Sequence, residues 1–146
     1  MRRQLLLLFS ACAILFSAHS LAQEKSFGPY QVYYSVFNSS FISPETASAY
    51  NIVRGKDRAL INIAIRKQLK SGEDIPQEAK ISGSRSDLIH SLPLEFKEIR
   101  EQGAIYYIAD FKFNDKELLA FTIKIQPDPD IAPYTLKFSH TLYEDE

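Results

Sequence analysis

Residues 105–125 read Ile-Tyr-Tyr-Ile-Ala-Asp-Phe-Lys-Phe-Asn-Asp-Lys-Glu-Leu-Leu-Ala-Phe-Thr-Ile-Lys-Ile and contain two segments in which inward apolar positions recur at every second residue. A period of two, rich in Ile, Phe and Tyr, is typical of strands that bury one face. Asn114-Asp115 stands between the segments and is a turn signal. The stretch therefore predicts a β-hairpin with one face in a core.

The same alternation recurs along the rest of the chain. It is clear at 30–37, 59–65 and 136–142 and weaker at 79–83 and 94–100. About seven strands in a domain of about 120 residues predict an all-β fold, an antiparallel immunoglobulin-like β-sandwich. A small closed β-barrel is the alternative that the pattern leaves open.

One short helix is predicted among the strands. Ser43 is a suitable N-cap, Pro44 suits the first helical position, and Glu45 suits the positive end of the helix, which we expect to run to about Tyr50. The polar residues 70–77 predict a long exposed loop.

The N-terminus has the three parts of a secretory signal peptide. Met1-Arg2-Arg3-Gln4 is positively charged, residues 5–16 are apolar, and Ser20-Leu21-Ala22 offers small residues for cleavage after Ala22. Twelve apolar residues span about 18 Å of helix, short of the bilayer core of about 30 Å. We therefore expect a signal peptide at 1–22, a single domain at 23–146, a periplasmic location and no membrane span after cleavage.

Composition excludes several classes of protein. Residues 23–146 carry a formal net charge of −3 and contain neither Cys nor Met. A basic nucleic-acid binder, a disulfide scaffold and thiol or soft-metal chemistry are therefore not expected. The domain must be stable from its core and its hydrogen bonds alone.

Two blocks of sequence carry a family resemblance. The first is Tyr33-Tyr34-Ser35-Val36-Phe37-Asn38-Ser39-Ser40-Phe41-Ile42-Ser43-Pro44-Glu45 with Ala49-Tyr50-Asn51-Ile52, and the second is Ala104-Ile105-Tyr106-Tyr107 with Ala109-Asp110-Phe111. Over its whole exported part, the chain resembles an uncharacterised family of short exported proteins from Gram-negative bacteria, a domain of unknown function marked by a Phe-Asn-Ser motif. The resemblance implies export and a single domain, and it assigns no catalytic residue.

The Phe-Asn-Ser motif is the first candidate binding element. Phe37, Asn38 and Ser39 end a predicted strand, where the amide and the hydroxyl are able to face a ligand. The same residues also serve to satisfy loose backbone groups as a strand ends, and this structural interpretation is favoured. Arg54 lies beside the Gly55 turn and is a candidate for attracting an anionic partner or, equally, for keeping the strand end soluble.

Two tyrosines form the second candidate binding element. Tyr33 and Tyr106 fall on the sides of their strands that face away from the apolar stripes. If the stripes face the core, both tyrosines lie on an outer surface, either as a protein-binding patch or packed beneath a covering element.

The two histidines of residues 23–146, His90 and His140, form no recognisable catalytic or metal-binding pattern. His140 shares its stripe with Phe138 and Leu142, which favours a structural role at the edge of the core. Metal and catalytic sites generally combine three or more groups, so no catalytic residue, metal or cofactor is assigned.

The sequence favours a non-catalytic exported interaction or accessory module that docks on an envelope protein. A carrier of a lipid or other small molecule is the alternative. A small hydrolase that uses His90 or His140 with a serine is the second alternative. A homo-oligomer is left open.

Overall fold

Ten strands, one α-helix and a single turn of 3-10 helix make up residues 22–146, the part of the chain that the computed structural model describes. The elements are β1 (Gln23–Phe27), β2 (Tyr30–Asn38), the 3-10 turn (Ser39–Phe41), α1 (Pro44–Ala49), β3 (Arg58–Gln68), β4 (Asp74–Pro76), β5 (Lys80–Ser86), β6 (Ser91–Leu94), β7 (Lys97–Glu101), β8 (Ala104–Lys112), β9 (Glu117–Gln126) and β10 (Tyr134–Leu142).

The strands form two antiparallel sheets. The first has the order β1-β2-β3-β8-β7 with β4 beside β3, and the second has the order β10-β9-β5-β6. Without β1 and β4, these orders are A-B-E-D and G-F-C-C′ of an immunoglobulin domain. The prediction of an all-β sandwich is confirmed, and the alternative of a small closed barrel is wrong for residues 22–146.

The number of strands exceeds the predicted seven because short strands lack a clear apolar period. β1 is exposed along most of its length and holds its place by pairing with β2. β4 lies inside the segment 70–77, for which an exposed loop was expected, and only three of its residues pair with β3. The predicted stretch 94–100 is divided between β6 in one sheet and β7 in the other.

The core lies between the sheets and is built from the predicted stripes. Ile61 and Ile63 of β3 face Phe121 and Ile123 of β9, and all four side chains are fully or almost fully buried. The ring centroids of Phe111 and Phe121 lie 5.7 Å apart, which joins the two sheets directly. Burying one such side chain stabilises the fold by about 1.5–3 kcal/mol, so the stripes supply the stability that disulfides supply elsewhere.

The predicted helix is present and packs on the outer face of the first sheet. The Ser43 Oγ accepts a hydrogen bond from the Thr46 N–H at 3.2 Å, as an N-cap should. Ala47 and Ile52 bury against Leu60 of β3 in a second, smaller cluster. The helix covers only part of this face and leaves the part around Tyr33 open.

Four segments meet at one end of the sandwich. They are the connection 39–57 between β2 and β3, the turn 87–90 between β5 and β6, the turn 113–116 between β8 and β9, and the tail 143–146 after β10. The β8–β9 turn places the end of the first sheet beside the start of β9 in the second.

The predicted signal peptide falls on residues 1–21, which lie outside the described residues, so cleavage after Ala22 stays a prediction. Among the described residues, no helix has the length and apolar character that a membrane crossing requires.

Candidate functional site

The six residues predicted as candidate binding residues lie in two separate places. Four of them belong to the end of the sandwich formed by the 39–57 connection and the tail, and two lie on the outer face of the first sheet. The four are Phe37, Asn38, Ser39 and Arg54, and the two are Tyr33 and Tyr106.

Asn38 holds the C-terminal tail. Its Nδ2 donates to the carbonyl oxygen of Tyr143 at 2.8 Å and to Oδ1 of Asp145 at 3.0 Å. The backbone N–H of Asp145 in turn donates to the Lys56 carbonyl at 3.2 Å. These contacts fix the tail against the 39–57 connection, although the sequence separates Asn38 from Tyr143 by 105 positions.

Ser39 holds the 39–57 connection closed. Its side chain is fully buried, and its Oγ donates to the Gly55 carbonyl and accepts from the Gly55 N–H, both at 3.0 Å. One hydroxyl thus satisfies both backbone groups of one residue in a segment without regular structure. This geometry matches the structural role that was favoured for an Asn-Ser sequence at a strand end.

Phe37 and Arg54 have different surroundings although they belong to the same end. Phe37 is partly buried and packs against the cluster beneath α1. Arg54 is exposed in the loop that precedes β3. The structure therefore places Arg54, and not Phe37, where a partner would meet it first.

Exposed apolar side chains gather at this same end, and we call this surface the apolar end. Leu88 is fully exposed and Ile89 is 85% exposed, at the tip of the β5–β6 turn. The apolar end comprises all the exposed large hydrophobic side chains found within residues 22–146: Phe41, Val53, Leu88, Ile89, Leu92, Leu118 and Tyr143. Such clustering marks interaction surfaces, since single exposed apolar residues are normally scattered.

The turn that carries Leu88 and Ile89 is rigidly built. The Asp87 Oδ1 accepts from the N–H of Ile89 at 2.7 Å and of His90 at 2.6 Å, and the Asp87 N–H donates to the His90 carbonyl at 3.0 Å. The backbone N–H groups of His90 and Ile89 hold the pKa of the Asp87 carboxyl below its ordinary value. Asp87 therefore stays ionised beside the two aliphatic side chains.

Sequence reasoning missed the apolar end. Turns between strands usually carry Gly, Asn, Asp or Ser, so Leu88-Ile89 between two polar residues was the available signal. The other members come from distant segments, and only the fold brings Phe41, Leu118 and Tyr143 to one surface.

Tyr33 and Tyr106 line a groove on the outer face of the first sheet, which we call the tyrosine groove. Ala64 of β3 is the register partner of Tyr33, and its small side chain lies between the strands that carry the two tyrosines. The groove has a volume of about 300 Å³ and is lined by Ala22, Tyr33, Tyr34, Ser35, Asn62, Ala64, Ile65, Arg66, Ala104, Ile105 and Tyr106. The structure thus joins two residues that the sequence predicted separately.

The histidines lie in different places. His90 is exposed in the β5–β6 turn, with its Nδ1 3.5 Å from Oδ2 of Asp87. His140 lies on β10 and lines a shallow cleft with Asn38, Glu144 and Asp145, and burial lowers its pKa. Within residues 22–146, no group of three or more His, Cys, Asp or Glu side chains is arranged to hold a metal ion.

Comparison with protein families and solved structures gives the following. The family model of DUF4426, a domain of unknown function, matches residues 24–145. A DUF4426 family protein from Pseudomonas aeruginosa is 39% identical, with a TM-score of 0.74, and the match covers 86% of this chain and 97% of that one. No curated protein matches this chain.

Two structures of FetP from uropathogenic Escherichia coli resemble the chain in fold. A copper-bound variant is 12% identical with a TM-score of 0.59, over 84% of this chain and 95% of that one. FetP as isolated after expression in the periplasm is 12% identical with a TM-score of 0.57, over 86% of this chain and 95% of that one. At this identity the likeness shows the fold alone, and the copper belongs to FetP.

Proposed function

The chain belongs to the DUF4426 family, whose function is unknown, and we propose that it is a non-catalytic exported module that docks on a protein partner in the periplasm through its apolar end. The observation that carries the proposal is the gathering of the exposed large hydrophobic side chains at one end of the sandwich. Solvent-exposed Leu88 and Ile89 gain stability only when a partner covers them.

The charges around the apolar end favour a protein partner over a lipid surface. Asp87 is ionised directly beside Leu88 and Ile89. Arg54 and Lys56 carry positive charge on the neighbouring loop, whereas the tail ends in Glu144, Asp145 and Glu146. An anionic bilayer attracts a surface of one positive sign, while a mixture of both signs around apolar residues is the pattern of a protein interface.

The Phe-Asn-Ser motif has a part in this proposal. Asn38 fixes the segment that carries Tyr143, and Ser39 fixes the segment that carries Phe41 and Val53. We infer that the motif marks the family because it holds the docking surface in shape, without itself touching the partner.

Export of the chain from a Gram-negative cytoplasm is part of the proposal. The charged, apolar and small-residue parts of residues 1–22 support cleavage after Ala22. The first strand begins at Gln23, so this cut removes no residue of the sandwich. The absence of Cys and Met from residues 23–146 suits an oxidising compartment.

Site-specific photo-crosslinking in intact cells tests the docking. A photoreactive residue at position 89 should give one adduct of defined mass, and the same residue at Asp130, exposed at the opposite end, should give none. Adding Leu118→Ser with Tyr143→Ser should abolish the adduct, because both side chains belong to the apolar end. Equal crosslinking from both positions contradicts the proposal, and an adduct of twice the chain mass identifies the partner as a second copy.

A further inference from the structure

The tyrosine groove has the construction of a binding site of its own. It lies on the outer face of the first sheet, on strands β2, β3 and β8, away from the apolar end. Neighbouring strands are about 4.8 Å apart, so Tyr33 and Tyr106, two strands apart, are separated at the backbone by about 10 Å. Ala64 between them leaves room for one small group.

A buried polar atom in this groove lacks a partner. The Oδ1 of Asn62 is buried and accepts no hydrogen bond from any protein group. Buried acceptors in folded proteins almost always have a donor, and leaving one unmade destabilises the fold. Because Asn62 lines the groove, an occupant that carries an N–H group would supply the missing bond.

The rim of the groove carries negative charge. Glu24 is the register partner of Tyr33, and Glu101 is the register partner of Ala104, so both acids lie on the face of the sheet that holds the groove. Arg66 is the cation in the lining, and its charge is already paired: its Nε lies 2.9 Å from Oδ2 of Asp74, and its Nη2 donates to the Asp74 carbonyl at 2.7 Å.

We propose that the tyrosine groove binds an organic cation that carries N–H donors, namely an alkylguanidinium or alkylammonium group. The rings of Tyr33 and Tyr106 attract a cation, and the Asn62 Oδ1 accepts one of its N–H groups. The acids on the rim add attraction at longer range. The group belongs either to a free small molecule or to an Arg or Lys side chain of a partner. This site is independent of docking through the apolar end.

Titration of the purified protein with butylguanidinium, followed by NMR, tests the chemistry. Saturable shifts should appear at the backbone amides of Tyr33, Ala64 and Tyr106. Butylurea keeps the N–H donors without the charge, and tetramethylammonium keeps a charge without the donors, so each should bind at least about tenfold more weakly. The proposal is overturned if butylurea binds as tightly as butylguanidinium, or if no shift saturates.

Variants locate the binding. Tyr33→Leu and Asn62→Ala should each weaken butylguanidinium binding by about threefold or more, while Tyr143→Leu, at the apolar end, should leave it unchanged. Because groove substitutions affect packing, Glu24→Gln on the exposed edge strand is a second test, with an expected loss of about threefold. Equal loss in Tyr143→Leu, or no loss in any groove variant, overturns the assignment.

A blocked Ala-Arg-Ala tripeptide distinguishes the two sources of the cation. Binding that is at least about tenfold tighter than that of butylguanidinium supports a partner side chain, because the flanking peptide adds contacts. Equal binding supports a free small cation. Failure of both probes overturns the site and leaves docking through the apolar end unaffected.

Discussion

Two adjacent short polar residues organise the end of the sandwich that we assign to docking. Asn38 binds a tail more than 100 positions away, and Ser39 binds Gly55, 16 positions away. The sequence predicts that such residues satisfy loose backbone groups at a strand end. It does not predict which groups, because both partners are brought there by tertiary structure.

Ser39→Ala should lower the free energy of unfolding by about 1–3 kcal/mol, because the buried carbonyl and N–H of Gly55 both lose their partner. Urea denaturation of the variant measures the change. Ser40→Ala is the matched control, since Ser40 is exposed and should change stability by less than about 0.5 kcal/mol. Equal effects of the two variants would contradict the assigned role.

Asn38→Ala should release the tail and cost about 1–2 kcal/mol of stability, because two hydrogen bonds of its amide are lost. Hydrogen exchange should accelerate at the Asp145 amide, whose bond to the Lys56 carbonyl depends on the tail's position. Ser139→Ala on the exposed face of β10 should leave that exchange rate as it is.

At the scale of elements, the apolar period located the strands that bury one face, and the capping residues located α1. β1 and β4 escaped the sequence because their positions depend on pairing with β2 and β3, not on their own side chains. The groove needed the sheet order as well, since Tyr33 and Tyr106 lie on strands that meet only through β3.

Gly83→Ala should destabilise the junction of β5 with β9. A Cβ at Gly83 would lie 2.7 Å from both Cδ1 of Ile123 and the carbonyl oxygen of Thr122, and the backbone atom has no room to move. We expect a loss of about 1–3 kcal/mol by chemical denaturation. Ser82→Ala, on the exposed side of the same strand, should cost less than about 0.5 kcal/mol.

His140 on β10 should make stability fall on mild acidification. Burial lowers its pKa below the ordinary value of 6.5, so the unfolded chain binds the proton more readily than the folded one. The contribution of the neutral imidazole is complete above pH 6.5 and is lost as the pH falls below it. His140→Asn should therefore lose less stability than the parent between pH 7.5 and pH 5 in parallel urea titrations, whereas His90→Asn in the exposed turn should follow the parent.

At the scale of the whole molecule, the sandwich separates stability from display. Its apolar stripes face inward between the sheets, while the exposed large apolar side chains of residues 22–146 lie at one end. Composition and periodicity predict the first property. The second follows from four connections meeting, which no single stretch of sequence reveals.

Leu88→Ser combined with Ile89→Ser should leave the free energy of unfolding within about 0.5 kcal/mol of the parent, because both side chains are solvent-exposed in the folded protein. The same pair should remove the crosslinked adduct formed from a photoreactive residue at Tyr143. A large loss of stability in this variant would show that the two side chains belong to the core and would contradict the docking assignment.

The attachment of the tail to Asn38 has a practical consequence. An affinity tag or fluorescent reporter fused after Glu146 begins one residue beyond the Asp145 contacts and therefore shields the surface assigned to docking. The exposed turn at Ser71-Gly72 joins β3 to β4 at the far side of the molecule, and insertions are tolerated best at such sites. A bait labelled there keeps its contact surface unobstructed.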